Sequence, residues 1–225
     1  MNCELSFLST ISTDFYSKGI SSIDDTQNIL QGRPYGGLGV LWRKSLHECK
    51  VLDSFDDRLL LFNITCGSKQ ILFVNVYMPY CSNDNLPEFQ FYLGKINRII
   101  EDANTPYVYV IGDLNANTRR GQHHLFGDEL IDFCLHDNLV LSDVILCKEE
   151  TYTYFSTAHF SVSWLDHVIS SHSAHTLIHT IRVDYSFVSS DHHPLLMDID
   201  VCVTSQFDDD SDGGNKRHKE VIKWD

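Results

Sequence analysis

The order of the apolar patterns constrains this chain more than any single residue does. From Gly36 onward the sequence passes through short runs rich in Val, Ile, Leu, Phe and Tyr, at residues 38–42, 58–65 and 71–77. Their length and composition read as β-strands. Gly67-Ser68-Lys69-Gln70 between the last two reads as a hairpin turn, which makes them an antiparallel pair. Residues 86–103 place Phe89, Tyr92, Leu93, Ile96, Ile99 and Ile100 at helical spacing, with Pro87 near the start, where a missing amide is harmless. A strand at 107–111 follows, then a helix at 125–136 with Leu130, Phe133 and Cys134 inward, then strands at 162–170, 177–185 and 195–203. This succession is not the strict βαβ alternation of a doubly wound parallel sheet. It predicts an α/β chain of the α+β kind, with a layered sheet-on-sheet architecture.

At 225 residues, 43% hydrophobic and 21% charged, the chain suffices for one domain with a sizeable core. No apolar run reaches the length of a membrane span. Met1-Asn-Cys-Glu4 lacks the basic start and apolar core of a signal peptide, so an intracellular setting, nuclear or cytoplasmic, is expected. The seven cysteines are scattered and form no CxxC pair, which suggests neither a zinc knuckle nor a disulfide framework. The domain is expected to fill residues 1–204. The run Asp208-Asp-Asp-Ser-Asp-Gly-Gly214 makes 205–225 a flexible acidic tail or linker. The formal net charge of -14 opposes the basic face that a sequence-neutral nucleic-acid binder carries, although several of these acids sit in the tail and in the candidate site.

Four segments can carry chemistry. Tyr107-Val-Tyr-Val-Ile-Gly-Asp-Leu-Asn115 is an apolar strand ending in a glycine, a carboxylate and an amide. Period-two geometry puts Asp113 and Asn115 on one side if the strand continues, and Gly112 leaves room for a substrate backbone. A carboxylate there can take a proton or hold a metal, and the amide can donate to a developing oxyanion. An ordinary turn would use the same residues. Ser189-Ser-Asp-His-His-Pro194 offers Asp191 as an oxygen ligand for a hard cation and His192 for phosphate contact or proton transfer. A polar loop stopped by Pro194 is the plainer reading. Asp166, in Trp164-Leu-Asp-His-Val-Ile169, is a carboxylate in an apolar strand, costly unless paired, and a histidine from the previous segment would pair it. Tyr77 ends the strand before Pro79 and can offer a phenol to a phosphate, though an aromatic there more often packs. His172, His175 and His179 have metal-like spacing but no cysteine partners, and a zinc site is not the expected reading.

Taken in order, Tyr-x-Pro at a strand end, Gly-Asp-x-Asn, Leu-Asp-His and Ser-Asp-His-x-Pro resemble the endonuclease/exonuclease/phosphatase superfamily. That superfamily includes apurinic/apyrimidinic endonucleases, pancreatic deoxyribonuclease and the endonuclease domains of LINE-type retrotransposons. The last branch is the most similar. Gly32-Arg-Pro-Tyr-Gly-Gly-Leu-Gly-Val-Leu-Trp-Arg-Lys44 resembles a glycine-rich stretch common there, and Lys219-Glu-Val-Ile-Lys-Trp-Asp225 resembles the start of a linker towards a reverse transcriptase. The resemblance covers roughly residues 5–203. It implies a four-layered α/β sandwich of two packed, mainly antiparallel sheets flanked by helices. It implies hydrolysis of DNA phosphodiesters with Mg²⁺, or Mn²⁺, as Lewis acid. It would make Asp113 the group handling the proton of the water or phosphate, with Asn115 beside it. Asp191 would be a metal ligand. His192, oriented by Asp166, and Tyr77 would contact the phosphate.

The family opens with an asparagine-bearing strand and a second strand ending in Gln-Glu, whose glutamate is a metal ligand. Neither occurs here, and Glu4 lies in Glu-Leu-Ser-Phe-Leu, which resembles the segment after that glutamate. The expectation is an N-terminally truncated copy lacking its opening strands and weakened as a nuclease. Two other readings stay open. One is an inactive remnant that binds nucleic acid or protein. The other is a phosphatase acting on a small phosphoester.

Overall fold

The computed structural model describes residues 6–21, 37–46, 48–54, 57–119 and 124–201. The expected tail at 205–225, Glu4 and the first part of the glycine-rich stretch lie outside the described residues. A 3-10 helix (Ser6–Thr10) precedes β1 (Phe15–Ile20), which pairs antiparallel with β2 (Leu38–Arg43). Next come β3 (Cys49–Ser54), β4 (Leu59–Cys66) and β5 (Lys69–Tyr77), an antiparallel meander. Helix α1 (Leu86–Glu101) carries the chain to β6 (Tyr107–Asp113), which runs parallel to β5. After α2 (Leu125–His136) come β7 (Val140–Leu141), α3 (Ser142–Leu146) and a hairpin of β8 (Tyr154–Ser156) with β9 (Ser161–Ser163). The described chain closes with β10 (Asp166–Ser170), the single turn α4 (His172–His175) and the antiparallel pair β11 (Ile178–Val183) and β12 (Leu195–Ile199).

The central sheet has the order β3-β4-β5-β6-β10-β7, and β5–β6 is its one parallel neighbour pair. Its strands alternate apolar residues on both faces, so both must be covered. Leu59, Leu61, Leu72, Val74 and Val76 face α1 and α2, whose Phe89 and Phe126 rings stack at 4.1 Å. Leu60, Ile64 and Ile71 face the other way, towards Val40 of β2 and Ile181 of β11. On that face Phe62, Phe73 and Tyr109 stack across three neighbouring strands, with centroids 4.9 and 5.2 Å apart. Each such pair contributes about 0.5–1.5 kcal/mol beyond its buried area. This is the expected mixed α/β sandwich, with helices on one face of the central sheet and a second sheet layer on the other. The second layer, however, consists of two separate pairs, β1–β2 and β11–β12. Between β2 and β12 lies a largely apolar cavity of about 510 Å³, floored by Phe62, Phe73 and Val168 and reaching Asp166 and His192 at one end.

The expected helices agree with α1 and α2, the first ending at Glu101 instead of Ala103. The Gly67-Ser68 turn of the β4–β5 hairpin has Gly67 at φ 59, the left-handed backbone a two-residue turn requires. The expected strand at 162–170 is two strands with Trp164-Leu165 between them. β1, β3, α3 and α4 are too short or too mixed in pattern to read from periodicity. Among the described residues no helix is long and apolar enough to cross a membrane.

Candidate active site

The site gathers at one end of the central sheet, where β5 and β6 run parallel and β10 returns antiparallel. In this register Tyr77 stands beside Asp113, and Asp166 stands opposite Asp113. The loop before β12 then brings in His192, whose Nδ1 donates to Asp166 Oδ2 at 2.8 Å and whose Nε2 lies 4.0 Å from Asp113 Oδ2. Asp113, Asp166 and His192 can together offer three ligand atoms within 4.8 Å of one another. Their side chains are 17%, 20% and 31% exposed, so the group is open to solvent yet largely dehydrated. The pairing that the lone strand carboxylate Asp166 requires is thus made.

Burial and the neighbouring Asp166 charge push the Asp113 carboxyl up to about 6, against a partial opposing pull from His192. On His192, burial opposes the charge. The hydrogen bond and charge of Asp166, with the charges of Asp113 and Asp191, outweigh it and raise the imidazole above its ordinary value. The site therefore sets a carboxylate that titrates close to neutrality against a histidine biased towards imidazolium.

Asn115 joins Asp113 by a different route from strand periodicity. The strand ends at Asp113, and Asn115 takes a left-handed backbone at φ 50. Its N–H donates to Asp113 Oδ1 at 2.9 Å, and its side-chain Nδ2 donates to the Met78 carbonyl at 2.9 Å and to Asp113 Oδ2 at 3.4 Å. An Asx-type turn, which asparagine tolerates, fixes the amide beside the carboxylate. Gly112 also plays a different part. At φ 133, a Cβ on it would fall 2.2 Å from the Val76 carbonyl oxygen. Its bareness makes room for the backbone of β5, not for a substrate.

Asp191 stands outside the cluster of three. It is exposed, and its Oδ1 accepts a long hydrogen bond from Ser190 Oγ (3.5 Å). Its backbone carbonyl accepts from Phe155 N–H (2.9 Å), which ties the loop to the β8–β9 hairpin. Tyr77 is held by Arg58, whose guanidinium donates to the Tyr77 carbonyl (3.1 Å), pairs with Glu88 (3.1 Å) and lies 5.8 Å from the centres of the Tyr77 and Tyr92 rings. Arg58 looked like the first residue of an apolar strand, and nothing in the sequence tied it to Tyr77. His172 and His175 are engaged elsewhere, with Asn138 Oδ1 (3.1 Å) and Ser142 Oγ (2.9 Å) respectively. Among the described residues they form no metal-ligating group with His179.

Residues 71–196 match the family described as Endonuclease-reverse transcriptase. Solved structures of similar fold include the endonuclease domain of TRAS1, a telomere-specific non-LTR retrotransposon. It is 21% identical, with a TM-score of 0.55 and 68% of each chain covered. An AP endonuclease from Leishmania major is 16% identical, with a TM-score of 0.65, over 85% of this chain and 72% of that one. A 3′ phosphatase from Neisseria, bound to a product DNA hairpin, is 14% identical, with a TM-score of 0.61, over 87% and 92%. No curated protein matches the chain. At these identities the structures speak to fold alone, while the family match spans more than half of the chain. With the order of motifs and the sandwich around them, it establishes that this chain belongs to the endonuclease–reverse transcriptase family, within the endonuclease/exonuclease/phosphatase superfamily.

Proposed function

We propose that the chain hydrolyses phosphodiester bonds of DNA with the help of a divalent cation, as a nuclease of retrotransposon type. The observation that carries this reading is the convergence of Asp113, Asp166 and His192 from three separate strands and loops into one solvent-open cluster.

A hard cation fits the donor chemistry. Asp113 and Asp166 repel one another, which helps raise the Asp113 carboxyl, and a cation relieves such repulsion. Asp191, on the loop next to His192, would hold it, which leaves Asp113 free for the proton. The cation, Mg²⁺ or Mn²⁺, would supply Lewis-acid polarisation of the phosphate when bound. The chain's own groups then divide the remaining work. Asp113 accepts the proton of the attacking water, as an ionised carboxylate can do at neutral pH. Asn115 holds the position of that carboxylate through two hydrogen bonds. His192, kept upright by Asp166, donates to a non-bridging phosphate oxygen as charge grows there. The Tyr77 hydroxyl contacts the phosphate from the neighbouring strand. Water oxygen forms the new bond to phosphorus, the bond to the leaving sugar oxygen breaks, and that oxygen takes up a proton.

The test is nicking of supercoiled plasmid by residues 1–225 in Mg²⁺, in Mn²⁺ and in chelator, beside Asp113→Ala and His192→Ala. Cation-dependent nicking lost in both variants supports the reading. Nicking that persists in both, or none in any cation, overturns it. The formal charge of -14 favours a second reading, a phosphatase on a small phosphoester, because a duplex meets long-range repulsion and a small ester meets less. Release of phosphate from a nucleoside monophosphate without plasmid nicking would select that second reading.

A further inference from the structure

Behind the site lies a buried ion pair that the mechanism above leaves unused. His167 follows Asp166 on β10 and is fully buried. Its Nδ1 donates to Asp143 Oδ2 (2.8 Å), and its Nε2 donates to the Ala116 carbonyl (2.8 Å). Asp143, on α3, is fully buried as well, and its Oδ1 accepts from the Val168 N–H (3.0 Å). Both ring nitrogens thus point at acceptors, as an imidazolium requires. Burial opposes that charge, but the Asp143 carboxylate and the Ala116 carbonyl outweigh it and raise the His167 pKa. Burying an ion pair is expensive unless every lone pair and proton is used. Here all four of these hydrogen-bonding atoms are used.

What the pair holds is the turn that carries the site. Ala116 follows Asn115, the residue forced into the left-handed region. Such a backbone persists only where its surroundings over-determine it. Three further hydrogen bonds tie the same turn to the strand-leading segment before His167, and a ring contact joins that segment to His167 itself. Leu114 N–H donates to the Leu165 carbonyl (2.9 Å), and Thr118 N–H donates to the Trp164 carbonyl (3.4 Å). Trp164 N–H donates to Asn117 Oδ1 (3.1 Å), and the Trp164 ring lies nearly parallel to the His167 ring with centroids 6.3 Å apart. Leu114 and Ala116 are wholly buried, so the side chains of Asp113 and Asn115 are presented outward from an anchored base.

We infer that His167, hydrogen-bonded to Asp143, is a positioning residue that clamps the Asp113–Ala116 turn through the Ala116 carbonyl and so fixes the catalytic carboxylate and its amide. This rests on the proposed hydrolytic reading of the site, deepening it by one residue pair. Two substitutions separate clamp from charge. In Asp143→Asn the new amide donates to Nδ1, His167 becomes the neutral tautomer with its proton on Nε2, and the bond to Ala116 survives. In His167→Phe that bond is lost.

The experiment pairs steady-state cleavage with native-state hydrogen exchange of residues 111–119, well below each variant's melting temperature. His167→Phe should lower kcat by about 10²-fold with KM within a factor of about two, since a misplaced reacting group costs rate more than binding. It should speed exchange at 114–118 selectively over β4 and β5. Asp143→Asn should fall well short of both effects. Where His167→Phe gives no folded protein, His167→Gln serves the same comparison. Exchange that rises equally in β4 and β5 would make the pair a stabiliser of the whole fold and overturn the inference. So would exchange at 114–118 unchanged from wild type. A wild-type chain without hydrolytic activity would sink the functional reading alone, and the exchange pattern would still decide the clamp.

Discussion

Replacing Asp113 with asparagine should stabilise the free protein while abolishing its chemistry. The folded protein pushes this carboxyl from 3.8 up to about 6, through burial and the nearby Asp166 charge. A group whose folded pKa is raised contributes stability that is fully present below its unfolded pKa and lost as pH rises through the folded value. A shift of roughly two units corresponds to about 3 kcal/mol between the two limits. Asparagine carries no such charge and can still accept from the Asn115 N–H. The stability difference between Asp113→Asn and wild type should therefore grow from about 1 kcal/mol at pH 4.5 to about 3 kcal/mol at pH 7.5. Urea denaturation in chelator at those two pH values measures it. Adding Mg²⁺ at pH 7.5 should narrow the gap, because a cation near the site stabilises the wild-type carboxylate more than the neutral amide of the variant. A difference independent of pH, or a variant less stable than wild type at pH 7.5, would refute the claim that Asp113 is held against its preference for water.

Three further outcomes are expected. His192→Ala and Asp166→Asn should each lower kcat by about 10²-fold or more, the usual scale for a preorganised electrostatic group, as read in plasmid nicking. Gly112→Ala should cost at least about 1–3 kcal/mol from the forced backbone alone, with more from the clash against the Val76 carbonyl, and should appear as a lowered Tm together with lost activity. Asp191→Ala should remove most of the Mg²⁺-induced rise in Tm while leaving the chelated protein's Tm within about a degree, because its exposed side chain packs against little.

Much of this protein is legible in the sequence because the relevant physics is local. Continuous apolar runs in β4, β5 and β6, helical spacing in α1 and α2, and the Gly67-Ser68 turn each act over a few neighbours, so pattern alone predicts them. Asp166 announced its need for a partner because a carboxylate in an apolar strand is costly, whatever surrounds it. The order of the motifs carried the family. The tertiary structure decided what depends on distant residues meeting. Asn115 reaches Asp113 through a left-handed turn, and that turn persists because residues about fifty positions later hold it from behind. His167 and Asp143 look like ordinary polar residues until β10 and α3 pack and remove the water from both. Arg58 becomes the support of Tyr77 because β4 and β5 pair in one register. The split of the second sheet layer into β1–β2 and β11–β12, with the cavity between them, is also a tertiary outcome. A strand's own sequence fixes which residues share a face, but which edge it meets is chosen by the competition among all strands for hydrogen-bonding partners.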